Sequence, residues 1–291
     1  MSVLSDFEAL SRATGMVLPP LLRALLDTGD TSYFPHWCDA WKHPDQPRVV
    51  PFLSWWDYEW IDAAESRRNI DEWLHPQAQA QAQGGRSFLP FAQSGAGDLY
   101  CLMADAAGSI GVALAWHDND TCRIGYRTFD DFVYARYLET LSDASHLIDE
   151  AGDLTADRVA ADIRCVSRFM DTQRGEQLRQ LCQRPLALRA FRPGPRAGVQ
   201  HVPAFISQEE LELHLTALAA PSAPFSLTPR WEMRRPDAVA VVAPPPPQWR
   251  DLAKDPGRRM QAIRTYQRHH ACTLQEAKRA IDGFLAAAHE R

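Results

Sequence analysis

The stretch Leu89–Leu102 (LPFAQSGAGDLYCL) places a turn sequence between two apolar runs. The first run covers 89–92, Gly-Ala-Gly-Asp follows at 95–98, and the second run covers 99–103. This pattern is typical of a strand, a tight turn and a second strand. Glycine permits the positive φ that such a turn requires. The sequence therefore predicts a β-hairpin at this point.

Two further apolar runs follow the predicted hairpin, SIGVALAW at 109–116 and CRIGY at 122–126. Thr128 then precedes a helical pattern that continues to about Leu141, with Asp131 at the third helical position. Short strands in succession favour an antiparallel meander, closed here by a helix. We expect an α+β fold with a small antiparallel sheet flanked by helices, and a second, smaller α+β or mostly helical domain.

The N-terminal third is predicted to supply helices and an aromatic core. Ser5 and Glu8 have the spacing of a capping box, which predicts a helix over 6–14, and Pro19-Pro20 predicts a second helix that stops at Gly29. Tryptophans at 56, 60 and 73 fit one face of a helix over 57–74. They indicate an aromatic core, with a partner-binding patch as the alternative. The segment 76–85 (PQAQAQAQGG) reads as a flexible loop.

The order of these motifs resembles the SUKH superfamily. Leu18-Pro19 stands at a helix start, LPFA…GAGDLYCL forms the hairpin, AWHDND (115–120) ends a strand, and FDDF (129–132) opens a helix. The superfamily includes a yeast cell-wall-synthesis regulator and many bacterial immunity proteins. The resemblance covers about residues 1–150 and implies a non-catalytic protein that binds another protein.

Charge divides the chain into two halves. Residues 1–150 contain 10 Lys and Arg against 22 Asp and Glu, a formal charge of −12, whereas residues 151–291 contain 21 against 15, a charge of +6. An acidic domain attracts a basic surface. We expect an acidic SUKH-like domain at 1–150, a basic α+β domain at 151–243, and a proline spacer with a C-terminal helix pair at 244–291.

The last segment has a resemblance of its own. The helix pair around MQAIRTYQRHHACTLQEAKRAID is similar to the C-terminal domain of the ribosomal stalk protein, over two short helices. The run Pro244–Pro247 favours a stiff spacer. Basic residues in this half alternate around helices that also need apolar faces, so we expect a solvated surface rather than nucleic-acid binding.

Composition indicates a cytoplasmic protein. No apolar run approaches the roughly 18 residues that a membrane span needs, and the acidic N-terminus lacks the features of a secretory signal. The six cysteines are far apart without a CxxC pair, which favours reduced core thiols. We therefore expect no membrane partner.

The search for chemistry gives no catalytic, cofactor or metal site. GxSxG, HExxH and GxxxxGK[ST] are all missing from the sequence. His36, Cys38 and His43 lack a fourth ligand at a usual spacing. His117-Asp-Asn-Asp120 is interpreted as a turn held by Asx side chains. Asp98 is interpreted as a turn residue without an adjoining histidine or second carboxylate.

We therefore expect a bacterial immunity protein that binds and neutralises a cognate toxin without catalysis, the toxin being a basic effector such as a nuclease. An intracellular scaffold or regulator of cell-envelope processes is the alternative, and a metal-dependent hydrolase using His117, Asp118 and Asp120 is an outlier. The expected contact surface is the sheet face and its loops. Its candidate residues are Asp98, Tyr100, Asp118, Asp120, Asp130 and Asp131.

Overall fold

The computed structural model of the chain describes residues 2–31, 49–73, 86–104, 108–151, 155–194, 196–218, 221–227, 249–255, 258–270 and 274–289. Contacts divide the chain into two compact units, Met1–Pro236 and Asp237–Arg291. The helices of the first unit are α1 (Val3–Thr14), α2 (Pro20–Asp27), α3 (Ala63–Trp73), α4 (Phe129–Ser142), α5 (Ser145–Ala151), α6 (Thr155–Ser167), α7 (Thr172–Leu181) and α8 (Gln208–Thr216).

The strands of the first unit form a five-stranded antiparallel sheet and two small ribbons. They are β1 (Glu59–Trp60), β2 (Phe88–Gln93), β3 (Leu99–Ala104), β4 (Ile110–Ala115), β5 (Thr121–Cys122), β6 (Ile124–Tyr126), β7 (Ala187–Phe191), β8 (Gln200–Ala204) and β9 (Phe225–Ser226). The main sheet has the order β1-β2-β3-β4-β6, while β5 pairs with β9 and β7 with β8. The predicted meander, its closing helix and the α+β class are confirmed.

The predicted hairpin joins β2 to β3. Leu89 pairs with Leu102, and the turn closes because the Ser94 N–H donates to the Asp98 carbonyl at 2.8 Å. Gly97 has a φ of +90°, a conformation that residues with a Cβ atom rarely adopt. Every residue of β2 from 88 to 92 is buried, so both faces of the sheet are covered.

The first helices differ from the prediction in one detail. The N-cap of α1 is Ser2, whose side chain accepts from the Ser5 N–H, so the predicted capping box of Ser5 and Glu8 is wrong. Ser2 takes this role because the helix begins three residues earlier than the sequence pattern suggested. Helix α2 begins after Pro19 and ends before Gly29, as predicted.

The tryptophan-rich segment is only partly helical. Trp60 lies in β1 rather than on a helix, because its backbone pairs with Ala92 of β2 and its indole N–H donates to the Pro51 carbonyl at 2.8 Å. Trp55 and Trp60 are buried against Phe52, at ring-centroid distances of 3.8 and 5.1 Å. The aromatic core is therefore present, but its rings come from a loop and a strand.

The core of the first unit continues past residue 150. Side chains of α6, α7 and α8, such as Ile163, Leu178 and Leu211, belong to the same buried cluster as the sheet. Asp162 on α6 is fully buried and accepts from the Phe52 N–H at 3.0 Å, the Ser54 N–H at 2.9 Å, the Ser54 hydroxyl at 2.6 Å and the Tyr137 hydroxyl at 2.9 Å.

One edge of the sheet is covered by a later segment, 221–227. The Ser222 N–H donates to the Ile124 carbonyl at 2.8 Å, and the Leu227 N–H donates to the Asp120 carbonyl at 2.7 Å. Strand β9 lies between these two contacts and pairs with β5. Residues far outside the SUKH-like stretch thus protect a sheet edge, which would otherwise offer unpaired backbone groups. The three-domain division of the sequence stays a prediction.

The second compact unit contains α9 (Trp249–Ala253), α10 (Arg259–His270) and α11 (Leu274–His289). Ile263 and Ile281 are buried in its own apolar cluster. The predicted helix pair is present as α10 and α11, and its similarity to the ribosomal stalk protein stays a prediction.

Some predicted features lie outside the described residues. They are His36, Cys38 and His43, the loop 76–85, the run Pro244–Pro247 and the capping residue Thr273. In the part of the chain that is described, no helix is long and apolar enough to cross a membrane.

Candidate functional site

Asp98 joins two turns at one end of the sheet. Its carboxylate accepts from the Ser94 hydroxyl at 3.2 Å and from the His117 N–H at 3.0 Å. The ring Nδ1 of His117 lies 2.7 Å from the same oxygen, Oδ1, that the His117 N–H contacts. The expectation that no histidine adjoins Asp98 is therefore wrong, because the β4–β5 turn folds against the β2–β3 turn. Sequence distance concealed this contact.

Three potential metal ligands meet at this point. Asp98, His117 and Asp118 offer ligand atoms that all lie within 4.8 Å of one another, and Asp120 does not belong to the group. The carboxylate can only accept, so the close Nδ1 is the donor when Asp98 is ionised. A metal at Nδ1 would have to break this hydrogen bond. The geometry is thus that of a hydrogen-bonded pair that fixes two turns.

The predicted Asx turn is also present next to this pair. The Asn119 side-chain oxygen accepts from both the N–H and the hydroxyl of Thr121, each at 3.0 Å. An amide that bonds to the backbone two residues ahead stabilises a turn without any ligand. The turn that contains residues 117–120 is therefore stabilised by hydrogen bonds within the chain.

The six predicted contact residues fall into two groups. Asp98, Tyr100 and Asp131 are only 4%, 7% and 8% exposed. Asp131 is also paired with Arg174 of α7 at 2.7 Å, and its N–H is capped by Thr128. Such side chains offer little area to a partner, whatever their charge. The other three candidates, which retain exposed surface, are Asp118, Asp120 and Asp130.

The structure adds exposed residues that the sequence prediction did not select. Trp56 and Trp116 are 66% and 46% exposed, although tryptophan is usually buried for most of its area. Asp57, also exposed, accepts from the Gly95 N–H at 2.6 Å and so lies beside the β2–β3 turn. We call Asp57, Trp116, Asp118 and Asp120 the sheet-end surface. Neighbouring Trp and Asp residues at strand ends were the sequence feature that could have indicated it.

A cavity of about 460 Å³ opens beside the sheet-end surface. Its lining includes Tyr100, Trp116, Arg123, Tyr126, Arg136 and Pro224. Burial raises the pKa of Tyr126, and the Glu139 carboxylate, which accepts a hydrogen bond from its hydroxyl, raises it further. Burial likewise raises the pKa of Tyr100. Both tyrosines are therefore protonated at neutral pH, and neither supplies an ionised nucleophile to the cavity.

Arg136 lines this cavity and also a second one. Its guanidinium donates to Glu139 at 2.9 Å and to the Trp56 carbonyl at 2.7 Å. The second cavity has a volume of about 600 Å³ and contains both Arg136 and Trp56 in its lining. The arginine therefore fixes the backbone that carries the exposed Trp56.

The described cysteines are poor nucleophiles. Burial raises the pKa of Cys101 well above its ordinary value, and it raises the pKa of Cys122 and of Cys165 to about 11. The thiolate is the reactive form of cysteine, so these groups are largely unreactive at neutral pH. They fit the predicted role of core thiols.

Comparison with known proteins agrees with this architecture. Searches of curated proteins and of solved structures gave no significant match. A family profile, described as the SMI1 / KNR4 family (SUKH-1), matches residues 4–135. The matched range contains α1 to α3, the whole five-stranded sheet, and the first half of α4. Residues 4–135 of this chain are therefore a domain of the SUKH superfamily.

Proposed function

We propose that this protein is a bacterial immunity protein that binds a cognate toxin and neutralises it without catalysis. SUKH domains typically bind protein partners, and immunity is one of the roles compatible with the family. The observation that carries the proposal is the family domain itself. Its two exposed tryptophans and its exposed carboxylates are the residue types of a protein-binding surface.

The charge of the domain favours a basic toxin. Residues 1–150 carry a formal charge of −12, and the sheet-end surface contributes three exposed aspartates to it. Complementary charge accelerates association and selects among partners more than it increases affinity. A basic effector such as a nuclease fits this field. We therefore expect association to slow as the salt concentration rises.

Co-expression tests the proposal directly. Each toxin-like protein encoded beside the gene is produced in cells with and without this chain, and survival and complex formation are measured. One toxin that is neutralised and co-purifies supports the proposal. If none of them is neutralised or bound, the proposal fails.

Charge reversal tests the surface within that experiment. The double variant Asp118→Lys, Asp120→Lys is expected to slow association at low salt by about tenfold. Asp71→Lys, at an exposed position on α3, is the control and should change the rate far less. Equal rates for the double variant and wild type would place the contact surface elsewhere.

A scaffold or regulator of cell-envelope processes is the second candidate. It is favoured by the presence of two compact units, Met1–Pro236 and Asp237–Arg291, in a chain whose halves differ in charge. Affinity purification with and without residues 237–291 distinguishes the two functions. A scaffold loses one partner and keeps another, whereas an immunity protein whose first unit binds the toxin keeps it.

A further inference from the structure

The second cavity, which we call the Trp56 cavity, is assembled from distant parts of the first unit. Its lining residues are Trp56, Arg136, Glu139, Thr140, Ser142, Asp143, Ser145, His146, Phe191 and Leu211. Nine of these ten, all except Trp56, lie beyond residue 135, where the SUKH match ends. The residues after the match thus build most of this cavity on the family domain.

The hydroxyl groups of the cavity already donate hydrogen bonds to other groups of the chain. Thr140 donates to the Arg136 carbonyl at 3.2 Å, and Ser142 donates to the Glu139 carbonyl at 2.8 Å. Ser145 donates to Asp143 Oδ1 at 2.5 Å. A hydroxyl has one proton and two lone pairs. Toward a ligand, these three hydroxyl oxygens can therefore act only as hydrogen-bond acceptors.

His146 adds another acceptor. Its Nε2 lies 2.9 Å from the Ser54 carbonyl oxygen, which can only accept, so the ring donates from Nε2. In the neutral ring Nδ1 is then the atom with a lone pair. The ring packs edge to face against Trp56 at 5.5 Å, which keeps both aromatic groups at the cavity.

Among the charged residues that line the cavity, the carboxylate of Asp143 is the one without a cationic partner. Arg136 and Glu139 are paired at 2.9 Å, so their charges balance. Asp143 accepts from the Ser145 N–H at 2.9 Å and from its hydroxyl, and no Lys or Arg of the described residues is paired with it. With neutral His146, the formal charge of the lining is −1. A single positive group would neutralise it.

We propose that the Trp56 cavity receives an arginine side chain of the protein partner. A guanidinium has five N–H donors and no acceptor, so it matches a lining composed mainly of acceptors. It pairs with a carboxylate and packs flat on an aromatic ring, and Asp143 and Trp56 provide these two groups. This inference rests on the proposed function, since it assumes a basic protein partner, and it assigns a role to residues beyond the family match.

A blocked tripeptide, acetyl-Gly-Arg-Gly-amide, tests the cavity without a toxin. The signal of the Trp56 indole N–H, assigned with Trp56→Phe, is followed by NMR during titration of the full-length protein. The same peptide with citrulline has nearly the same shape but no charge. We expect a saturable shift with arginine and an affinity at least about tenfold weaker with citrulline.

Asp143→Asn should weaken arginine binding by about tenfold, because the carboxylate is the uncompensated charge. The side-chain oxygen of asparagine can still accept from the Ser145 N–H, as the aspartate does, so the start of α5 and the fold are expected to be preserved. Asp71→Asn is the matched control on an exposed helix position and should leave the affinity unchanged. The inference is overturned if arginine gives no saturable shift, if citrulline binds equally well, or if Asp143→Asn has no effect.

The toxin assay separates this inference from the proposed function. Loss of protection in Asp143→Asn and Trp56→Ala, with unchanged thermal unfolding, supports the arginine contact. Full protection by both variants overturns it and leaves the immunity function standing. If the wild type neutralises no toxin although arginine binds, the immunity function fails, and the cavity remains an arginine site for another protein.

Discussion

Asp98 and Asp162 are both buried aspartates that connect separate segments, but they do so over very different sequence distances. Asp98 contacts Ser94 and His117, four and 19 residues away, within the family match. Asp162 lies outside the match and accepts from Phe52 and Ser54, 110 and 108 residues away. The difference shows that residues after 135 complete the core of the SUKH domain.

The two environments also differ in what the carboxylate stabilises. Asp98 connects the β2–β3 turn to the turn that follows β4. Asp162 fixes Phe52, a residue with a φ of +69° at the centre of the aromatic core. A non-glycine residue in that conformation persists only where its surroundings impose it. We therefore expect Asp162 to contribute more to stability than Asp98.

Replacing Asp162 is expected to have the largest effect on stability. Asp162→Ala leaves the N–H groups of Phe52 and Ser54 and two hydroxyl groups without their acceptor in a buried site. We expect a loss of about 3–5 kcal/mol in the free energy of unfolding, measured by urea denaturation. Asp157→Ala, at an exposed position on the same helix, is the control. A loss below about 1 kcal/mol for Asp162→Ala would contradict the assigned role.

Asp98→Asn is expected to cost less, about 2 kcal/mol, because one oxygen can still accept while the charge-assisted bond to His117 is lost. Urea denaturation measures this change as well. Asp118→Asn removes the neighbouring exposed charge and should stay within about 0.5 kcal/mol of wild type. Equal losses in the free energy of unfolding for Asp98→Asn and Asp162→Ala would contradict the expectation that Asp162 contributes more to stability than Asp98.

The same comparison shows what could be predicted from the sequence. The hairpin at 89–102 and the capping of α4 by Thr128 depend on neighbouring residues, so local patterns were sufficient. The capping box of α8, formed by Ser207 and Glu210, is a local interaction of the same kind. Interactions between residues close in sequence leave a pattern that can be read without the fold.

The missed features depend on tertiary contacts. His117 reaches Asp98 only because two turns meet, and Trp60 joins β1 because Ala92 pairs with it. Tyr100 is buried because its ring packs against Phe132 of α4, and Asp131 is buried beside Arg174 of α7. The sequence does not show these contacts, so both polar side chains were predicted to be accessible to a partner. Nothing near Asp162 in the sequence indicates that it accepts from Phe52.

Gly97→Val tests the turn that presents Asp98. The substitution meets no atom within 4 Å, so the cost comes from the φ of +90° rather than from a clash. We expect a loss of about 1–2 kcal/mol in thermal or urea unfolding. Gly194→Val, where φ is not positive and space is open, is the control. A stable Gly97→Val protein that no longer binds its partner would make this turn a functional loop instead.

Glu210 extends the comparison to a partly exposed carboxylate and should give the smallest effect. A hydrogen bond from Arg184 and another from the Ser207 N–H lower its pKa, whereas burial raises the pKa of Asp162. A carboxyl with a lowered pKa in the folded state stabilises the protein above its ordinary pKa, and this contribution disappears as the pH falls through the lowered value.

Glu210→Gln is therefore expected to cost about 0.5 kcal/mol at neutral pH, since solvent screens the pair with Arg184. The difference from wild type should shrink toward zero in acid, when Glu210 is protonated in both states, and should also shrink in high salt. Urea denaturation across a pH series measures it. A difference that stays constant with pH would mean that the Glu210 side chain acts through its shape and hydrogen bonds rather than through its charge.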